Sequence, residues 1–271
     1  MPELPEVETT LRGIEPHVSG ASITEVIVRR SDLRQAVSDD LAVIKGRRVT
    51  GVSRRSKYLL LAISDGSTVL IHLGMSGSLR VIYPTAPWKT HDHIGITLNN
   101  KMQLRFHDPR RFGLVLRLTG NPMEHSLLKD LGPEPLSDGF TASYLHRICA
   151  KRSVAIKLVI MDAKVVVGVG NIYASEALFR AGILPQTTAK RIAKLRLIKL
   201  VVAIRAVLTD AIAEGGTTLR DFLQSDGKPG YFRQRLFVYE RKGEPCRVCG
   251  KPIRHAVIGQ RSTYWCPQCQ K

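Results

Sequence analysis

Residues 58–73 read YLLLAISDGSTVLIHL, two apolar runs of strand length on either side of Asp65-Gly66. An Asp-Gly pair between such runs marks a β-hairpin, because both residues tolerate the backbone angles of a tight turn. The pattern repeats downstream: HIGITL at 93–98, the turn pair Asn99-Asn100, MQLRF at 102–106 and FGLVLRL at 112–118. From about residue 20 to 118 the chain therefore predicts an antiparallel sandwich or barrel. Upstream, Val7, Leu11 and Ile14 recur at helical spacing, with Glu6 and Glu8 where a helix dipole favours acids, so a helix starts almost at Pro5. Downstream, the segment from Thr119 to Gly139 is rich in Pro and Gly and has no sustained period, which makes it a domain boundary. Beyond it Ile192, Leu195, Ile198, Val201, Val202, Leu208 and Ile212 make an apolar helical face over about 186–213, closed by Gly215-Gly216. The fold class is α+β.

At 271 residues and 44% hydrophobic composition the chain can bury a sizeable core. It carries 41 Lys plus Arg against 23 Asp plus Glu, a net charge of +18, which points to a polyanionic partner and first to nucleic acid. The cations fall in clusters, among them Lys45 to Arg48, Arg54 to Lys57, Arg110-Arg111 and Lys190 to Lys199, instead of along one amphipathic helix as a membrane surface would favour. No apolar run of about 18 residues and no signal-peptide pattern is present, so neither membrane insertion nor export is expected, and a cytoplasmic chain is.

Four of the five cysteines lie at the end, in CRVCGKPIRHAVIGQRSTYWCPQC. Cys246, Cys249, Cys266 and Cys269 form two CxxC knuckles with sixteen residues between them, the spacing of a four-thiolate zinc site on a hairpin. Sulfur fills every position, so one structural Zn2+ is expected, not a catalytic one. Cys149 stands alone and reads as a small buried hydrophobe. His91-Asp92-His93 has metal-ligand spacing, but no third ligand is evident.

KVVVGVGNIYASE (164–176) imitates a dinucleotide fingerprint, yet Tyr173 occupies the third glycine position and no strand and helix alternation surrounds it. It reads better as a helix start that meets a phosphate, with Asn171 as the N-cap and a helix over about Ser153 to Met161 before it. At the other end, Pro2 follows an initiator Met that is commonly removed before proline. The exposed secondary amine would have a pKa near 8, well below lysine, and would form a charged iminium with an aldehyde-level carbon. Glu3 stands next to it, able to carry protons.

PELPEVETTLRGI at 2–14, RRSKYLLL at 54–61, HLGMSGSLR at 72–80, DPRRFG at 108–113, LGPEPL at 131–136, VGVGNIYASE at 167–176, GGTTLRDF at 215–222, SDGKPGYF at 225–232 and the cysteine tail occur in order from end to end. Together they resemble the bacterial formamidopyrimidine-DNA glycosylases, or 8-oxoguanine DNA glycosylases, within a family shared with endonuclease VIII. Leu4 and the cysteine finger match the purine-repair branch. The resemblance implies an N-terminal helix and β-sandwich domain (1–131), a helix-two-turn-helix domain (132–236) and a zinc-finger hairpin (237–271), with DNA crossing the cleft. It implies excision of oxidised purines from double-stranded DNA, and cleavage at abasic sites, by a monomer. Pro2 would be the nucleophile and Glu3 the proton carrier, with Lys57 serving β-elimination and Arg261 δ-elimination. Met75, Arg110 and Phe112 match residues inserted where the damaged nucleotide leaves the stack, although Met75 and Phe112 taken alone read as core. His91 and Asn171 match DNA-backbone contacts, and Arg152 stands where other members have lysine. Thr217 to Tyr231 would be a loop closing over the extruded base. The alternatives are an endonuclease VIII-type enzyme for oxidised pyrimidines and a zinc-dependent DNA-binding protein without catalysis.

Overall fold

The computed structural model describes residues 2–217 and 232–271, so the loop expected at Thr217 to Tyr231 lies, from residue 218 onward, outside the described residues. The chain divides into two compact units, Met1–Lys129 with Glu214–Arg233, and Asp130–Ala213 with Gln234–Lys271, so far as those segments are described.

In the first unit, helix α1 (Leu4–Val18) is followed by eight strands: β1 (Ile23–Val28), β2 (Val49–Arg55), β3 (Tyr58–Ile63), β4 (Thr68–His72), β5 (Ser78–Ile82), β6 (Asp92–Leu98), β7 (Gln103–His107) and β8 (Leu114–Leu118). They form two four-stranded antiparallel sheets of order β1-β6-β7-β5 and β2-β3-β4-β8. The hairpin 58–73 is the centre of the second sheet. Leu59, Leu60 and Leu61 are all buried, and so is every residue of β4. That explains why this hairpin reads as continuous apolar runs instead of alternating ones: both faces of its strands are covered. Val7, Ile14 and Val18 of α1 join one core with Leu59, Ile71 and Val115 of that sheet and Ile94, Leu104 and Phe106 of the other.

In the second unit, helices α2 (Ala142–Cys149), α3 (Ile156–Met161), α4 (Asn171–Arg180) and α5 (Lys194–Ala213) precede the hairpin of β9 (Arg254–Ile258) and β10 (Arg261–Trp265). The long helix is shorter than the sequence period suggests. Residues 187–190 instead lend their backbone to the segment before α3: Ile156 N–H donates to Thr187 O at 2.8 Å and Ala189 N–H to Val154 O at 2.9 Å. Ile192 is buried, but Leu195, Ile198 and Val202, expected on the same face, are exposed; the face that α5 buries carries Leu197, Leu200, Val201, Ile204 and Leu208. The valines 165–167 are buried in turns with no strand before Gly168, in agreement with the failure of the dinucleotide pattern.

The finger is fastened to α4. Phe179 and Phe237 stack with ring centroids 5.2 Å apart, and Phe179 shares a small core with Val238, Cys246, Ile253 and Cys266. The buried carboxylate of Glu176 accepts the amides of Phe237, Val238 and Tyr239 at 2.8, 2.9 and 2.9 Å, while burial pushes its pKa up. Replacing it leaves three donors without that acceptor, and each unmet buried donor costs about 1–3 kcal/mol. We expect Glu176→Ala to lower unfolding free energy by roughly 3 kcal/mol or more in urea titration of the zinc-loaded protein, with Glu176→Gln losing less because one amide oxygen remains an acceptor. A midpoint unchanged in Glu176→Ala would contradict this role.

Candidate functional site

In the first unit the strand register gathers the predicted residues at one end of both sheets. Tyr58 pairs with His72 and His72 with Leu114, so the turn holding Lys57, the loop holding Met75 and the loop holding Arg110 and Phe112 leave the second sheet together. In the first sheet Ser78 and Asp92 both pair with His107, which brings the Met75 loop, the Arg110 loop and the exposed His91 to the matching end. The start of α1 reaches the same end, since Glu8 binds Arg54 near the close of β2 at 2.8 Å. Burial alone would oppose the charge of Glu8. Arg54, together with Arg12 at 3.0 Å, outweighs it and holds the Glu8 carboxyl below its ordinary pKa.

Pro2 and Glu3 are buried just ahead of α1, with Glu3 as its N-cap. Glu6 closes a capping box: its Oε2 accepts the Glu3 amide at 2.8 Å. Its other oxygen accepts the amide of Thr217 at 2.8 Å, and Gly216, at φ +83°, leaves room for a side chain a Cβ would touch at 3.0 Å. The chain end and the segment entering residue 218 thus share one buried carboxylate.

Met75 and Phe112 are 36% and 45% exposed, contrary to the core reading that each invites by itself. Arg110 lies over the Phe112 ring at 5.2 Å. A thioether, a guanidinium and a phenyl ring presented on adjoining loops suit insertion into a base stack. His72, at the root of the Met75 loop, accepts the Gly74 amide through Nδ1 at 3.0 Å. Burial, with Lys57 and Arg34 nearby, lowers its pKa to about 4, so the ring is neutral and keeps that acceptor. Asp92 and His93 are engaged inside the sandwich: Asp92 binds Arg80 and His107, and His93 Nε2 meets Asp108 O at 2.7 Å. Among the described residues the sole group of three or more His, Cys, Asp or Glu placed to hold a metal is the cysteine set.

In the second unit, the four cysteine sulfurs lie within 4.8 Å of one another. That fits ligands about 2.3 Å from a tetrahedral zinc, and four thiolates suit it. Asn171 is the first residue of α4 and not its N-cap. Gly170, in extended conformation, takes the cap position, and its carbonyl accepts the Ala174 amide at 3.0 Å. The Asn171 side chain is thereby released to donate to Ser262 O at 3.0 Å, next to Arg261 in the finger tip. Lys157, wholly buried and without any signal in the sequence, donates to the same carbonyl at 3.0 Å and to Thr263 Oγ1 at 2.8 Å. Arg152 is half exposed, 3.6 Å from Asp162, and lines a basic hollow of about 300 Å³ with Arg147, Lys151 and Lys164. Cys149 is buried and its thiol pKa is raised to about 11, so it is a protonated core residue.

Three family models match: the formamidopyrimidine-DNA glycosylase N-terminal domain over residues 1–115, its H2TH domain over 131–223, and a zinc finger found in FPG and IleRS over 243–271. A formamidopyrimidine-DNA glycosylase of Cronobacter sakazakii is 55% identical over 271 residues, covering all of both chains. The crystal structure of the MutM (Fpg) protein from Thermus thermophilus is 39% identical with a TM-score of 0.89, covering 99% of this chain and 98% of that one. The Lactococcus lactis Fpg in complex with DNA containing an abasic site is 30% identical with a TM-score of 0.91, covering 99% of each chain. The finger cysteines hold one structural zinc ion.

The neutral state of His72 sets a pH dependence. An unfolded imidazole takes its proton near pH 6.5, whereas folded His72 resists until about 4. Its contribution to stability is therefore complete above 6.5 and is lost as pH falls from there to about 4, by up to roughly 3 kcal/mol. The groups facing it are Lys57, Arg34 and the Tyr58 ring, centroid 4.9 Å away. His72→Asn, which keeps an acceptor for the Gly74 amide, should flatten the stability profile between pH 6.5 and 4; an unaltered slope in denaturant titrations would assign the acid sensitivity elsewhere.

Proposed function

The chain belongs to the formamidopyrimidine-DNA glycosylase family, and from that premise we propose the residues by which it works. It is a base-excision DNA glycosylase and abasic-site lyase for oxidised purines in duplex DNA. In the proposed assignment the Pro2 amine, freed of Met1, attacks the sugar carbon bearing the damaged base. The carbon–nitrogen bond to the base breaks, and Glu3 relays protons at the sugar. The resulting iminium draws electrons from the adjacent carbon. Loss of a proton there expels the 3′ phosphate, a step given to Lys57, and a second elimination given to Arg261 expels the 5′ phosphate.

Extrusion of the nucleotide leaves a gap in the stack at a cost of a few kcal/mol. Met75, Arg110 and Phe112 fill it, with the guanidinium facing the orphaned cytosine. His91, Asn171 and Arg152 contact the DNA backbone. The zinc-binding cysteines hold the finger that presents Arg261 and themselves take no chemical step. No helix among the described residues is long and apolar enough to cross a membrane, and we place the enzyme in the cytoplasm, acting on the chromosome as a monomer.

The observation that most supports this assignment is the coincidence, at one end of the sandwich, of a buried chain-terminal proline and glutamate with large apolar side chains left exposed on loops. Met75 and Phe112 forgo the part of their burial that a core position would have completed, roughly a third to a half of the 1.5–3 kcal/mol that full burial of such a side chain is worth. Such exposure is unfavourable unless a partner covers it.

Borohydride should trap one covalent adduct between the mature enzyme and an 8-oxoguanine duplex. An extension ahead of Pro2 should abolish the adduct while zinc content and DNA binding persist. A mature enzyme that excises the base without a trappable adduct would overturn the role of Pro2. Faster excision of thymine glycol than of 8-oxoguanine would instead favour the pyrimidine branch.

A further inference from the structure

Met75 comes from the loop between β4 and β5, and Arg110 and Phe112 from the loop between β7 and β8. Two irregular loops have no ladder hydrogen bonds to hold them in register, so something else must. Asp108 is buried with no exposed surface, and both of its carboxylate oxygens are engaged by loop residues. Oδ1 accepts the hydroxyl of Ser76 at 2.8 Å and Oδ2 accepts the amide of Gly113 at 2.8 Å. The Ser76 hydroxyl, itself 4% exposed as a residue, accepts the amide of Arg110 at 3.2 Å.

This pair touches the chain at Ser76, one residue after Met75, at Gly113, one residue after Phe112, and at Arg110 itself. The backbone closes the same joint. Gly74 has φ +66°, and a Cβ there would stand 2.5 Å from the Phe112 carbonyl carbon and the Gly113 nitrogen. The carbonyl of Asp108 receives His93 from β6 at 2.7 Å, which anchors the joint to the first sheet.

We propose that Asp108 and Ser76 are positioning residues that fuse the two loops into one wedge, so that Met75, Arg110 and Phe112 enter the stack together and Arg110 reads the orphaned base from a fixed place. This rests on the assignment of those three side chains made above. Neither Asp108 nor Ser76 meets DNA. Their effect is to spare the enzyme the ordering of two loops at the moment of insertion, a cost that would otherwise be taken from binding. Reading of the base opposite the lesion depends on them more than bond cleavage does.

The test uses the full-length, zinc-loaded enzyme and two substrates: a duplex with 8-oxoguanine opposite cytosine or adenine, and a single strand with a preformed abasic site, where there is no gap to fill. Ser76→Ala should lose about tenfold in duplex excision, chiefly through KM, and should lose preference between cytosine and adenine, while single-strand lyase activity stays as in the parent. Ser76→Thr, which keeps the hydroxyl, should recover both. Asp108→Asn, which can keep its oxygen on the Gly113 amide and donate its NH2 to a rotated Ser76 hydroxyl, should lose less on the duplex than Ser76→Ala. Arg110→Ala and Met75→Ala run alongside. If these two leave duplex excision and opposite-base preference unchanged, the insertion assignment fails and the proposal falls with it. If they impair the duplex reaction but Ser76→Ala does not, only the positioning role is refuted. Equal loss by Ser76→Ala on both substrates would also refute it, since the damage would then be general.

Discussion

A nucleophile at the end of a chain is only as well placed as the end itself, and chain ends fray unless something holds them. Here the holding group is the buried carboxylate of Glu6, which takes the amide of Glu3 on one oxygen and that of Thr217 on the other. Burying a carboxylate is costly unless its oxygens are hydrogen-bonded, so the arrangement is stable only when both segments are seated. Helix α1 contributes rigidity through Pro5 in its first turn and through Val7 and Ile14 in the core. The position of Pro2 thus derives from the sandwich through the packing of α1 and through one acidic side chain.

The same device recurs where irregular segments carry side chains of the proposed assignment. Asp108 takes the groups beside Met75 and Phe112, Lys157 takes the carbonyl beside Arg261, and Glu176 takes three amides leading into the finger. In the first two cases an exposed residue of the proposed assignment has its place set by a buried polar neighbour, and in the third the neighbour seats the segment that leads into the finger. Loops cannot satisfy their backbone through a ladder, and a buried charge, which must have partners, is the group best able to fix them. The division also explains why exposed Met75 and Phe112 are tolerated: their neighbours bury polar groups well enough that the loops do not collapse to hide the apolar ones.

What can be read from the sequence follows from how far each signal reaches. The hairpin 58–73, the period of α1 and the doubled CxxC are local patterns, and each fixes an element from residues within a few positions of one another. The polar staples are opaque because their partners are remote: 32 residues separate Ser76 from Asp108, 106 separate Lys157 from Thr263, and 211 separate Glu6 from Thr217. Asn171 looks like a cap because its residue type suits one, but Gly170 adopts the extended cap conformation and leaves the amide side chain free to reach Ser262. The start of α5 misleads for a related reason. In a helix apolar on more than one side the period does not decide which face turns inward, so Leu195, Ile198 and Val202 lie exposed; nor does it say whether the backbone bonds to itself, and around Thr187 it bonds to the strand-like segment before α3. The proposed site residues are legible through resemblance far more than through chemistry, since a surface methionine and phenylalanine carry no local mark of their role.

Charge gives the last step. A net charge of +18 names the class of partner, but the sequence clusters overstate how much of it faces that partner. Arg105 is wholly buried, stacked over Trp88 at 3.9 Å and paired with Asp92, and Arg54 is tied to Glu8. These cations are structural, and their fields are largely offset by acids inside the fold. Arg152 differs in lying at the surface, beside a hollow lined by other cations. A polyanion held by such groups is positioned along its backbone without being read. Discrimination of the damaged nucleotide must then come from groups that act only after it has left the stack, which is why the geometry of a few loop residues matters more to this enzyme than its abundance of positive charge.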